Sequence, residues 1–326
     1  MSPRERVLAA LGRKRVSPLP VGAVTQSASV WQMETLGIRW PEAHSDPRLM
    51  AALAEGAHTL VGFDMVRVPF DQTVEAGLLG AEVDYGDQTS NCSLRSHPLK
   101  LGDSLPPFPD LGVGRARVVI EAIRLLRART DAAVIGGLVG PFTLVCQLAG
   151  ISNVLMAAAR QPDRLLPYLD FAVQLGTDYA RRQVDAGADA ICIEDMSASL
   201  DLTSPRIYQS LILPAQQKLI AAIPAPVILH ICGSNTKILA LLFQTGAAAL
   251  SLEDRTDLAA AAAGPCAIIG GIHPIKLGQS PISPFLDASL AAGVHILAPG
   301  CGIEPATPVE NLREMVRVAR TRSSRY

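Results

Sequence analysis

Short apolar runs alternate along this chain with longer stretches in which apolar residues recur at helical spacing. Eight runs have strand character, at residues 20–26, 65–70, 133–140, 190–195, 227–232, 249–254, 267–272 and 295–300. Helical spacing covers 162–186, 205–222, 237–245, 282–292 and 307–321. Two of these open on helix-start chemistry: Ser204 before Pro205, and Thr307-Pro308-Val309-Glu310, which reads as a capping box. Continuously apolar strands joined by helices imply a parallel sheet covered on both faces. Eight such units predict an α/β chain, a single (β/α)8 TIM barrel over residues 1–326. It would carry an N-terminal extension and an insertion after strand two, where 71–109 is too irregular for a simple connection. An open doubly wound sheet would place a glycine-rich phosphate turn after its first strand, and Gly22-Ala-Val-Thr-Gln-Ser27 is not one.

Composition narrows the function classes. Apolar residues make up 49% and charged residues 18% of 326, with a formal net charge of −1 and no basic tract, which argues against nucleic acid and anionic membrane surfaces as partners. No run approaches the ~20 apolar residues of a membrane span, and the charged, amphipathic opening lacks the form of a secretory signal. The expected location is the cytoplasm, where six cysteines are thiols or metal ligands before they are disulfides.

In barrels of this kind the reactive groups gather where strands end and the next loops begin. Those ends carry Thr25-Gln26-Ser27, Asp71 with Glu75, Glu194-Asp195, His230-Ile231-Cys232-Gly233, Glu253-Asp254, His273 and Cys301-Gly302. Side chains alternate along a strand, so His230 and Cys232 point the same way and Ile231 the other. Imidazole and thiolate together suit a borderline-soft cation such as Zn²⁺. Cys301, between Gly300 and Gly302, ends a different strand and supplies a third donor, the glycines letting the backbone bend. Three N/S ligands with one exchangeable position form the catalytic zinc arrangement. Glu253 is the candidate fourth ligand, with a salt bridge to Arg255 as its alternative role. Cys232 and Cys301 also admit the reading of plain buried thiols, which is preferred for Cys146, Cys192 and Cys266. His44, His58, His97 and His295 read as surface or satisfied core histidines.

Several segments carry a family resemblance: Ser2-Pro-Arg-Glu-Arg-Val-Leu-Ala-Ala-Leu11, Trp40-Pro-Glu-Ala-His44, Val68-Pro-Phe-Asp-Gln-Thr-Val-Glu-Ala76, His230-Ile-Cys-Gly233 and Ala298-Pro-Gly-Cys-Gly-Ile-Glu-Pro-Ala-Thr-Pro308. From end to end the chain resembles the uroporphyrinogen decarboxylase superfamily, and within it the corrinoid-dependent methylcobamide:coenzyme M methyltransferases. The arginine-rich Arg-Gln-Ala-Gly-Arg-Tyr segment of the decarboxylase is absent; Thr25-Gln-Ser-Ala-Ser29 stands there, without the arginines that pair with tetrapyrrole carboxylates. Met196 also stands where the methyltransferase pattern has proline.

The resemblance implies a mechanism. Methylcobalamin, or the corrinoid of a separate methyl-carrier protein, supplies the methyl group at the barrel mouth. Zinc on His230, Cys232 and Cys301 activates a small thiol such as coenzyme M, with Glu253 as the exchanging ligand. Rim acids such as Asp195, Asp71 and Glu75 orient the ligands or take the thiol proton. Arg67, Arg255 and Lys276 are the cations near the strands that an anionic acceptor would require. Three alternatives stay open: a corrinoid-loading methyltransferase or one using tetrahydrofolate, a non-catalytic corrinoid or tetrapyrrole binder, and a decarboxylase.

Overall fold

The strand-forming runs owe their shape to β-branched residues placed between turns, as in Ala-Ile-Cys-Ile-Glu and Val-Ile-Leu-His. In the computed structural model, which describes residues 1–322, the strands in chain order are β1 (Met65–Val68), a two-residue hairpin pair β2 (Val83–Asp84) and β3 (Ser93–Leu94), β4 (Ala133–Val139), β5 (Ala190–Glu194), β6 (Val227–His230), β7 (Ala249–Glu253), β8 (Ala267–Ile272) and β9 (Ile296–Pro299). Seven of them form one parallel sheet in the order β1-β4-β5-β6-β7-β8-β9, wrapped by helices in a TIM-barrel-like α/β fold.

The run at 20–26 does not form the expected eighth ladder. It contributes a single parallel bridge, Val21 to Leu297, with Gly22 N donating to Leu297 O at 3.1 Å. On its other side Asp64 N donates to Val21 O at 2.7 Å, so Val21 still spans the gap between β9 and β1. Two local causes keep the segment from becoming a strand. Pro20 has no N–H to donate, and the Val21 N–H is taken by the Asp64 carboxylate at 2.9 Å.

Alternation sorts the strand residues into two cores. Outward residues pack under the helices, and inward residues such as Ile135, Cys192, Ile228, Ile269 and Ile296 fill the lumen. The N-terminal helix Pro3–Leu11 closes the floor: Val7, Ala10 and Leu11 join the lumen cluster. Its start is fixed by a capping box between Ser2 and Glu5. Further along β1, β5, β6 and β7 the inward positions turn polar: Arg67, Glu194, His230, Ser251 and Glu253 are all buried at the C-terminal end of the lumen, while β4, β8 and β9 carry Gly137, Gly271 and Ala298 there. The apolar floor and the polar mouth are therefore one period-2 pattern read along parallel strands.

Ser204 caps the helix at Pro205 through Ile207 N at 3.3 Å, as the sequence implies. The expected capping box at Thr307 does not form; its buried Oγ1 has no partner, and the helix runs from Val309 to Arg322. Residues 69–113 form the anticipated excursion. Asn91 Nδ2, close to the β2–β3 hairpin, donates to Gln26 Oε1 at 2.6 Å and to Phe70 O at 2.8 Å, tying it back to the barrel. Among the described residues no single helix is long and apolar enough to cross a membrane.

Asp64 gathers the chain ends. Fully buried just before β1, it pairs with Arg6 of the N-terminal helix, with Arg320 of the last helix at 2.8 Å, and with the Val21 amide. Asp64→Ala leaves two guanidiniums and one amide without their common acceptor. The expected loss is about 3 kcal/mol, near the lower end for a broken buried pair because both arginines keep some solvent contact. Urea denaturation followed by circular dichroism measures it, and a loss below ~1 kcal/mol would show that the ends are held by packing instead.

Candidate functional site

At the mouth of the barrel, β6 ends at His230 and the chain carries Cys232 one turn of the pleat beyond it. Cys301 lies two residues after the end of β9. The donor atoms of His230, Cys232 and Cys301 lie within 4.8 Å of one another: His230 Nε2 is 3.3 Å from Cys232 Sγ, which is 3.5 Å from Cys301 Sγ. The glycines flanking Cys301 act through close approach rather than through left-handed backbone. A Cβ at Gly300 would stand 2.9 Å from the Glu253 Cα, and one at Gly302 would stand 2.5 Å from the Gln26 side chain. Between β7 and β9, Gly271 of β8 has φ +154, and a Cβ there would meet Ala298 O at 2.6 Å. Only glycine lets these segments crowd together at the mouth.

Electrostatics couples the three donors. The hydrogen bond to Cys232, with help from His230, holds the Cys301 thiol well below its ordinary range, while the same bond and burial push Cys232 up. The hydrogen bond between the two sulfurs thus favours loss of one of their protons. Burial works against a charged His230, but the bond to Cys301 and the charges of Cys301, Glu194 and Glu253 raise its pKa overall. A divalent cation would displace the protons that these donors carry.

Glu253 stands beside this set and outside the 4.8 Å cluster. Its Oε1 accepts from Gly233 N at 2.6 Å; Oε2 is buried without a hydrogen bond, 3.7 Å from His273 Nε2. The alternative bridge to Arg255 is not made, since Arg255 pairs with Asp201 at 2.9 Å. Lys276 is likewise engaged, by Asp254 at 2.8 Å.

Asp195 lies apart. It follows Glu194 on β5, so its side chain leaves the lumen and meets the surrounding helices. It accepts from Thr143 N and Oγ1, both at 2.8 Å, and from Gln216 Nε2 at 2.9 Å; burial raises its pKa against those bonds. Asp71 is also turned away from the mouth cluster. It pairs with Arg115 and accepts from Thr73 Oγ1 at 2.6 Å, and Arg115 holds it well below the usual carboxylate range despite burial. His44 Nδ1, 3.2 Å from Asp71, and Cys92 complete a second His/Asp/Cys grouping. With its carboxylate saturated by Arg115 and Thr73, that grouping is a structural junction between the insertion and the helix Gly114–Arg129.

Two pairings at the mouth were not anticipated from the sequence. Arg67, inward on β1, is paired with Glu194, whose other oxygen accepts from Gln72 Nε2. A Cβ at Gly137 would fall 2.3 Å from the Arg67 guanidinium, so a glycine makes room for the pair. Ser251 Oγ sits 3.1 Å from His230 Nδ1. Period-2 alternation places Arg67 and Ser251 on the lumen side and was the available signal.

The chain is similar to several known proteins. The family described as Uroporphyrinogen decarboxylase (URO-D) matches residues 2–322. The chain is 35% identical over 333 residues to the methylcobamide:CoM methyltransferase MtbA of Methanosarcina acetivorans, covering 98% of each. It is 34% identical over 325 residues to the methylcobamide:CoM methyltransferase MtaA of Methanosarcina barkeri, covering 96% of each. A solved methyltransferase from Methanosarcina mazei superposes with a TM-score of 0.93 at 33% identity, covering 98% of both chains.

Glu75 serves the wall of the site. Buried, it accepts from Val139 N at 2.8 Å, and burial pushes its carboxyl up to about 7. Between its ordinary value of 4.5 and about 7 the folded chain binds more protons at this residue than the unfolded chain does. Stability from this group therefore falls as pH rises through that window, by on the order of 3 kcal/mol. In Glu75→Gln that component should vanish, so the wild-type minus variant stability, measured by urea melts from pH 4.5 to 7.5, should decline with pH; a flat difference would refute it.

Proposed function

The chain belongs to the uroporphyrinogen decarboxylase (URO-D) family, and from that premise we propose that it is a zinc-dependent methyltransferase moving a methyl group from a methylated corrinoid to a thiol such as coenzyme M. The observation that carries this reading is the convergence of one imidazole and two thiol donors at the barrel mouth. The relatives at 34–35% identity over nearly the whole chain support the reaction class.

The donor set fits Zn²⁺: one nitrogen and two sulfurs whose ligand atoms lie within 4.8 Å of one another. His230, Cys232 and Cys301 are the ligands, and Glu253, whose buried Oε2 has no partner, is the exchangeable fourth. When bound there, zinc lowers the pKa of an incoming thiol, so that the nucleophilic thiolate exists near neutral pH. The acceptor sulfur forms its bond to the methyl carbon as the cobalt–carbon bond breaks, its electron pair staying on cobalt. The corrinoid is a substrate presented by a separate carrier protein.

The protein's own groups set the stage for this step. Glu253 gives way to the acceptor, which keeps the charge of the site from accumulating. Asp195, through Thr143 and Gln216, fixes the end of β5 rather than touching the reactants, and so acts as a positioning residue. Arg67, the cation in the lumen, is committed to Glu194, which leaves it unsuited to a tetrapyrrole carboxylate and speaks against the decarboxylase reading. None of the six cysteines is in a disulfide.

Elemental analysis of protein purified without added metal should give about one zinc per chain, lost in Cys232→Ser and Cys301→Ser. Methylcobalamin with coenzyme M should then yield Co(I) corrinoid and methylated thiol, with turnover lower in both variants by on the order of 100-fold or more. Full activity in zinc-free wild type would overturn the proposal.

A further inference from the structure

The weak point of a histidine ligand is its tautomer. A neutral imidazole carries one proton on two nitrogens, and only the bare nitrogen can hold a metal. His230 is fully buried, so water does not decide where that proton sits. Its Nε2 faces Cys232 at 3.3 Å and its Nδ1 faces Ser251 Oγ at 3.1 Å. The pairing is built into the sheet: His230 on β6 and Ser251 on β7 are register partners, both inward and both buried. Directly below them in the lumen the neighbours are Ile228 and Ala249, which offer no polar side chain.

We propose that Ser251 is the positioning residue of the metal centre, accepting the Nδ1–H of His230 and so leaving Nε2 bare toward Cys232 and Cys301. This rests on the zinc reading above. The opposite arrangement, with Ser251 donating to Nδ1, would put the proton on Nε2 between ring and sulfur, and would block coordination.

The choice of a hydroxyl over a carboxylate has a charge reason. Carboxylates often occupy this position behind a metal-bound histidine. Here the mouth already holds the two sulfurs of Cys232 and Cys301 and the acidic side chains of Glu194 and Glu253 around His230. A further carboxylate would add negative charge to a buried site that must also accept an anionic sulfur. A neutral acceptor orients the ring without that addition.

Threonine and valine are nearly the same shape and suit a strand, so Ser251→Thr and Ser251→Val differ at this position chiefly in the hydroxyl. Zinc affinity, measured by competition with a chromophoric chelator, should stay near wild type in the Thr variant and weaken about 10- to 100-fold in the Val variant and in Ser251→Ala. The Co(II)-substituted Val and Ala variants should show shifted ligand-field bands. In the metal-free protein, ¹⁵N NMR should find a proton held on His230 Nδ1 in wild type and Thr variant, whatever Nε2 carries, and lose that preference in Val and Ala. Wild-type affinity and an unchanged tautomer in Ser251→Ala would overturn the proposal. If wild type binds neither zinc nor cobalt, the zinc reading fails, and the tautomer comparison still decides whether Ser251 orients the ring.

Discussion

Closing parallel strands around one lumen forces every second side chain of each strand into the same enclosed space, and that constraint organises the rest of this molecule. The lumen side chains are buried, so whatever enters must be apolar, paired or used. The floor meets the demand with Ile135, Cys192, Ile228, Ile269 and Ile296, sealed by the N-terminal helix. The mouth meets it with pairing: Glu194 with Arg67 and Gln72, and His230 with Ser251 and the cysteines.

Space at the mouth is as decisive as charge. Gly137 leaves room for the Arg67 guanidinium, Gly271 clears the way across β8, and Gly300 lets the Cys301 loop lie against Glu253. Without these gaps three strand ends would be held apart by their own side chains. The donors would then be present in the sequence and separated in space. The two sulfurs at 3.5 Å are the product of that crowding.

The acidic residues of the rim divide by face. Glu253 points inward and keeps one carboxylate oxygen unpartnered, which is the state of a group held ready. Asp195, Asp71 and Glu75 are satisfied by Thr143 and Gln216, by Arg115, and by the Val139 amide, and they hold loops and helices in place. Strand-end position alone makes all four look alike; the hydrogen bonds around each separate them.

The sequence by itself determined the class of fold and the three donors. Period-2 apolar runs between helical stretches dictate parallel strands, and the His-x-Cys spacing places His230 and Cys232 on one face because a strand repeats every two residues. It also placed the insertion, since 71–109 follows neither period. Other features depended on contacts between segments far apart in the chain. The run at 20–26 has strand composition, yet Asp64 takes its Val21 amide and leaves one bridge in place of a ladder. Thr307 has the spacing of a cap, but its hydroxyl lies buried with no partner. The pairing of Arg67 with Glu194, 127 residues apart, and of Ser251 with His230, 21 apart, exists only once the sheet sets its register. Local periodicity fixes which way a side chain points; which group it meets is fixed by closure of the barrel.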